Sequence, residues 1–279
     1  MSRTAKSYLH DPARKRAYNR SLFSVVAPRY DVATRVLSFW RDRAWKRAMI
    51  AMAPAQVSGC AVDLASGTGD IARLCAARYP DASVVATDLS HDMLKHTPPT
   101  ARTAAIHPVI SDMCRAPLPD GCASLVTGSY ALRNAPDLDG VLHETSRLLA
   151  PGGTALFLDF SKPAHRLLQR FELLLLWTWG ELWSLLLHRR RGVYSYIADS
   201  LDTFPDRRAL RHRLAEHDLE ATRSRLFFFG VIEVVVCRRT HGARAETAVD
   251  STPASTALPH CGHAAPCERY ERCGNEQSW

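Results

Sequence analysis

The sequence lacks a hydrophobic run long enough to cross a membrane. Its longest apolar stretch, Phe171 to Leu187, covers seventeen residues and is broken by Glu172, Gly180 and Glu181, whereas a spanning helix needs about 20 apolar residues. No apolar core follows the basic start Met1-Ser-Arg-Thr-Ala-Lys6, so no secretory signal is expected and a cytoplasmic protein is. The eight cysteines, at 60, 75, 114, 122, 237, 261, 267 and 273, show no paired spacing. That argues against a disulfide framework and for a reducing compartment. Internal repeats are absent too, and so is any His, Lys and Tyr arrangement typical of a dehydrogenase.

What is present is an ordinary globular composition, 46% hydrophobic and 23% charged over 279 residues, enough for one α/β domain with extra segments. The formal net charge of +8 is unevenly distributed: Met1 to Ile50 holds twelve Lys/Arg against three Asp/Glu, and the stretch from Thr240 holds three against five. The reading divides the chain into a basic helical cap (1–50), a main domain (51–239) with an amphipathic insert (164–192), and a disordered tail (240–279) without apolar period. In the tail, His260, Cys261, His263, Cys267 and Cys273 match no C-x-x-C pair, and no metal is expected.

Short apolar runs mark strands at 60–64, 83–88, 107–111, 123–129 and 155–160, the last after a turn at Pro151-Gly152-Gly153. Helical spacing runs from Ile71 to Tyr79 and through most other gaps, the pattern of parallel βαβ units. A helix at 206–217 and two β-rich runs, 226–229 and 231–236, suit antiparallel closing strands. His143 and Glu144 read as the solvated face of the helix before Pro151.

The first strand runs into Asp63-Leu-Ala-Ser-Gly67-Thr68-Gly69-Asp70. Gly67 and Gly69 let a backbone pass close beneath a ligand, and the next helix offers its N-terminal N–H groups. This G-x-G-x-x-A spacing fits a dinucleotide as well as a methyl-donor loop, and equally a turn without ligand. Asp88, at the end of the second strand, suits both hydroxyls of a ribose; it also suits a helix cap. Asp63 and Asp70 would repel a pyrophosphate but tolerate a ligand carrying an ammonium and a sulfonium.

Taken together, Ala27-Pro-Arg-Tyr30-Asp31, Leu37-Ser-Phe39, the glycine loop, Leu132-Arg133-Asn134 and Leu149-Ala-Pro151-Gly-Gly153 through Phe160-Ser-Lys-Pro163 resemble the ubiquinone/menaquinone biosynthesis C-methyltransferase family. The likeness runs in family order from about Asn19 to Arg239. It implies a Rossmann-like class I fold: a mostly parallel seven-stranded sheet with an antiparallel closing strand and an N-terminal helical cap. It also implies an S-adenosylmethionine-dependent methyltransferase (EC 2.1.1) acting on a ring carbon of a polyprenylated benzoquinol or naphthoquinol. By motif position, the cofactor would be held by Asp63, Gly67, Thr68, Gly69, Asp88 and Leu89. Asp112 and Met113 would flank adenine, and Ser129 would end the fourth strand. Asp112-Met113 departs from the family's usual small residue after the acid or amide. The segment from Lys95 to His107 is short and carries Pro98-Pro99, so its helix should be broken.

Arg133 and Asn134 follow the fourth strand, where ligand crevices of open sheets form. Carbon becomes nucleophilic when a quinol hydroxyl loses its proton, so Arg133 is expected to anchor the phenolate or to hold the water that takes the proton, beside Asn134. A loop pair making only caps is the plainer alternative. Tyr30, with Asp31, is expected to close over the ring or simply to pack.

Arg166 and Arg170 precede the stretch from Phe171 to Leu187, and His188-Arg-Arg-Arg191 follows it. The stretch fits an interfacial helix, the wall of a polyprenyl tunnel or a buried core helix. The partners expected are a hydrophobic quinol-like substrate and peripheral contact with a membrane, with room for a homodimer and without nucleic acid. Two alternatives remain: a diverged methyltransferase of another hydrophobic acceptor, such as an aromatic natural product or a phospholipid amine, and a basic nucleic-acid-binding protein.

Overall fold

A computed structural model describes residues 11–27, 30–97, 105–163, 165–189 and 196–240. The expectations for Pro28-Arg29, the side chain of Asp31, Pro98-Pro99, Arg190-Arg191 and the tail beyond Thr240 lie outside the described residues.

The chain opens with three helices, α1 (Pro12–Val26), α2 (Tyr30–Leu37) and α3 (Asp42–Ala51). Asp11 starts α1 by accepting the backbone N–H groups of Ala13 and Arg14, with proline at the first turn, where its missing N–H costs nothing. Then come β1 (Cys60–Leu64), α4 (Asp70–Arg78), β2 (Ser83–Asp88), α5 (His91–Leu94), β3 (Ile106–Ile110), β4 (Ala123–Ser129), α6 (Leu138–Leu148) and β5 (Leu149–Phe160). The last part holds α7 (Arg166–His188), α8 (Tyr196–Thr203), α9 (Arg207–Glu216), β6 (Leu219–Phe227) and β7 (Ile232–Arg239).

The seven strands form one sheet in the order β3-β2-β1-β4-β5-β7-β6. β7 runs antiparallel to both β5 and β6, and the pairings among β1 to β5 are parallel. Strand order reverses between β1 and β4, which opens a crevice beyond their C-terminal ends. Alternation along the strands builds two cores. Leu125, Leu156, Leu158 and Val234 pack with Trp45 and Met49 of α3 and Ile71 and Ala72 of α4. Val62, Val126, Phe157 and Val235 pack on the other face with Leu142 of α6, Leu201 of α8 and Leu214 of α9.

Three local expectations are corrected. The closing strands are Leu219–Phe227 and Ile232–Arg239, with Phe228–Gly230 forming a 3-10 turn between them. β6 is an edge strand whose exposed Glu220, Arg223 and Arg225 mask its strand pattern in the sequence. Pro151-Gly152-Gly153 lies within β5 rather than before it: pairing to β4 jumps from Ala123 with Leu149 to Leu125 with Thr154, and Gly152 (φ +71°) absorbs the bulge. Glu144 is buried rather than solvated, because it accepts the Ala116 N–H at 2.7 Å and pairs with Arg147 at 2.7 Å. α5 stops at Leu94, as a shortened segment requires.

Candidate functional site

The turn after β1 is held by backbone bonds, Ser66 N–H to the Thr87 carbonyl at 2.8 Å and Gly69 N–H to the Ser66 carbonyl at 3.0 Å. Gly67 and Gly69 both have left-handed φ, +59° and +80°. A Cβ on Gly69 would lie 2.7 Å from the Thr97 side chain, so glycine is required there by close approach of α5's end. Gly69 caps the start of α4 and is not among the residues lining the groove. Asp88 ties the arrangement together: one carboxylate oxygen accepts the Gly67 N–H at 2.8 Å, the other the Ser90 N–H at 2.8 Å. It therefore caps and supports the loop, while each oxygen keeps a lone pair for a ligand.

Gly67, Asp88, Leu89, Asp112, Met113 and Ser129 line one groove, together with Tyr30, Tyr130 and Asn134. A narrow extension of it is lined by Asp63, Ser66, Thr68 and Asp70, again with Tyr30, Ser129 and Tyr130. Around this groove sit buried polar atoms with no hydrogen-bond partner: Ser111 Oγ, Ser129 Oγ and Asn134 Oδ1. Burying polar atoms without partners costs about 1–3 kcal/mol each, so the groove is built for a polar ligand. Burial pushes the Asp63 carboxyl up to about 6, although Thr127 Oγ1 donates to it at 2.8 Å. Asp70 is different. Lys46 at 2.9 Å and Arg73 compensate its charge and hold its pKa down even against burial. Of the two acids singled out beside the loop, Asp70 is ion-paired directly, whereas Asp63 feels Lys46 only at longer range.

Asp112 borders the groove but is tied to the helical cap, where Arg16 Nε lies 2.5 Å from its Oδ2. Its other oxygen accepts the Cys114 N–H at 3.0 Å.

Beside the groove lies a larger, mainly apolar cavity of about 200 Å³. Its walls come from α1 and α2 (Phe23, Val26, Ala33), from α7 (Leu175, Leu176, Trp179) and from the β6–β7 turn (Phe228). Arg133 and Asn134 provide its polar end, and Tyr30, Tyr130 and Asn134 border both the cavity and the groove. Arg133 is 4% exposed. Its backbone N–H donates to Asp159 at 2.9 Å, its Nε lies 3.5 Å from the same carboxylate, and its Nη1 donates to Ser200. The guanidinium also stands over the rings of Phe160 and Tyr196, at 5.1 and 5.8 Å. Burial raises the pKa of Asp159 and Arg133 opposes the rise. Asn134 Nδ2 donates to the Tyr130 carbonyl at 2.7 Å, which leaves Oδ1 free at the junction of the two spaces.

Several residues at the site gave no signal in the sequence reading. Lys15 Nζ donates to the Arg133 carbonyl at 3.1 Å and Asn19 Nδ2 to the Asn134 carbonyl at 2.6 Å. Tyr196 OH in turn donates to Asn19 Oδ1 at 2.8 Å. Tyr130 adopts a left-handed φ of 57° and its hydroxyl donates to buried Asp42 at 2.8 Å. Asp42 pairs with Lys46 at 2.8 Å. Tyr130 stands two positions before Leu132-Arg133-Asn134, outside the motif.

Comparison with known proteins agrees with this geometry. The ubiE/COQ5 methyltransferase family is matched over residues 12–238. A demethylmenaquinone methyltransferase of Thermus thermophilus is 34% identical over 222 residues, 77% of this chain and 98% of the relative. A ubiquinone/menaquinone biosynthesis C-methyltransferase of Rubrivivax gelatinosus is 34% identical over 238 residues, 85% and 90% of the two chains. Among solved structures, a SAM-dependent methyltransferase of Thermotoga maritima superposes with TM-score 0.55 at 14% identity, covering 78% of this chain and all of that one. A geranyl diphosphate C-methyltransferase of Streptomyces coelicolor gives 0.53 at 14% identity, covering 71% and 79%. These two show the shared fold.

Proposed function

Because the chain belongs to the ubiE/COQ5 methyltransferase family, we propose that it transfers a methyl group from S-adenosylmethionine to a ring carbon of a polyprenylated quinol. The observation that carries this reading is the junction of the two spaces: a polar groove with orphaned acceptors meets an apolar cavity at Tyr30, Tyr130 and Asn134.

In this reading the groove residues Asp88, Leu89, Asp112 and Met113 hold the adenosine part, while Asp63, Thr68 and Ser129 take the amino-acid end. When bound, the donor supplies an electrophilic methyl on a sulfonium. Fixing donor and ring at attack distance is worth up to roughly 7–11 kcal/mol. Arginine is a permanent cation in proteins, and the Arg133 guanidinium is held by Ser200 beside the Asp159 carboxylate. It stabilises the phenolate that forms as the quinol hydroxyl loses its proton, and it orients the water that accepts it. Tyr30 stands at the junction as the side chain that separates ring from solvent. The apolar walls receive the substrate's polyprenyl chain.

The test is to supply the protein with isotopically labelled S-adenosylmethionine and a demethylated polyprenyl quinol, then locate the label by mass spectrometry. Label on the ring carbon is expected. Label only on oxygen or nitrogen, or only on an unrelated hydrophobic acceptor, would overturn the proposal.

A further inference from the structure

The apolar side chains left in solvent are concentrated around one opening. Along α7, Leu168, Phe171, Leu175, Leu182 and Leu186 recur at helical spacing and are exposed, Phe171 by 67%. The tip between α2 and α3 presents Phe39 and Trp40, the latter 69% exposed, and the β6–β7 turn presents Phe228 and a fully exposed Phe229. These three segments touch: Phe39 stacks on Trp179 of α7 at 4.8 Å and on Phe228 at 5.4 Å, and Phe228 meets Phe229 at 5.9 Å. Phe39, Leu175 and Phe228 are both partly exposed and cavity-lining, so the cavity opens within this apolar face.

All four loop aromatics have left-handed φ, from 49° to 61°, a conformation costly for bulky side chains. The opposite side of α7 buries Gly180 and Ser184, so the helix is neither a core helix nor a spanning one; among the described residues no helix is long and apolar enough to cross a membrane. The exposed charges flanking the three segments are basic: Arg41 and Arg43, Arg166 and Arg170, Arg189, and Arg225.

We propose that this face seats on an anionic lipid bilayer, with α7 lying in the interface, the two aromatic tips inserted among headgroups, and the cavity mouth held against the lipid. The occupant follows from continuity and charge. An apolar mouth continuous with an apolar face receives a lipid-dissolved substrate without passage through water, and a rim of arginines complements anionic headgroups. Aromatic side chains favour that boundary. The part concerning substrate entry rests on the quinol reading above; the seating on lipid does not.

The experiment is co-sedimentation of the full chain with vesicles of phosphatidylcholine alone and with about one-third phosphatidylglycerol, without quinol or methyl donor. Binding to the anionic vesicles is expected, falling with added salt. The triple variant Trp40→Ser, Phe171→Ser, Phe229→Ser changes side chains outside both cavities and should lose about tenfold in partitioning with an unchanged melting temperature. On a short-chain soluble quinol it should keep wild-type turnover while slowing on quinol held in vesicles. Failure of the wild type to sediment with anionic vesicles would overturn the proposal, as would undiminished binding by the variant. So would ultracentrifugation showing a dimer that the variant dissolves without any vesicle binding.

Discussion

Arg133 is surrounded by groups that fix it, and each makes its replacement informative. Arg133→Lys keeps the charge near Asp159 but loses the planar fork that reaches Ser200. Turnover is expected to fall about 100-fold, the scale of losing one oriented stabilising donor, while calorimetric affinity for S-adenosylmethionine stays unchanged. Asp63 gives a pH signature. Its pKa in the folded protein is raised from 3.8 to about 6 by burial, so the folded state favours the protonated acid. That stability is fully present below the unfolded value near 4 and is lost as pH rises through about 6, roughly 3 kcal/mol in all. A cationic ligand demands the ionised form, so donor affinity should change the other way, weakening up to tenfold per unit as pH falls below about 6. Titration calorimetry between pH 5 and 7.5 checks this; an affinity flat across that window would exclude Asp63 from the donor site. Arg133, Asn134 and Asp63 could be picked from sequence because short motifs carry them. Tyr130 and Asp42 could not, since 88 positions separate them and neither stands in a motif.

At the scale of elements, strands were readable wherever both faces of the sheet are covered, because β1, β2 and β4 are short, largely apolar runs whose inner residues are buried. β6 was not, being an edge with a charged outer face, and the bulge in β5 reads as a turn because glycine serves both. The role of α1 was invisible for another reason. Its polar residues Lys15 and Asn19 look like an ordinary basic helix, yet they hold backbone carbonyls 118 and 115 positions away. Asn19→Ala leaves the Asn134 carbonyl and the Tyr196 hydroxyl without that partner, costing about 1–3 kcal/mol. It should also lower turnover roughly tenfold through a displaced loop, measured against unchanged donor affinity. A variant as active as wild type would mean that the loop holds its place unaided.

For the molecule as a whole, the alternation of strands and helices was enough to announce the parallel sheet and its crevice, and two β-rich runs announced the closing strands, though with shorter bounds than the structure has. Burial of unpartnered polar atoms in that crevice makes a whole-protein prediction. S-adenosylmethionine at about 100 times its Kd should stabilise the fold by about 2.7 kcal/mol, raising the melting temperature by roughly 5–11 °C. NADH should leave it unchanged, and a comparable shift with NADH would return the glycine loop to the dinucleotide reading.

The contacts of α1 also impose an order of assembly. The helix is synthesised well before its partners, the loop at Arg133 and Asn134 and the hydroxyl of Tyr196. It therefore docks only once most of the sheet has been synthesised, and that docking completes the polar end of the cavity at Arg133 and Asn134. Asn19, Arg20 and Phe23 of α1 also line the groove, so groove and cavity are completed together, later than the sheet that carries them.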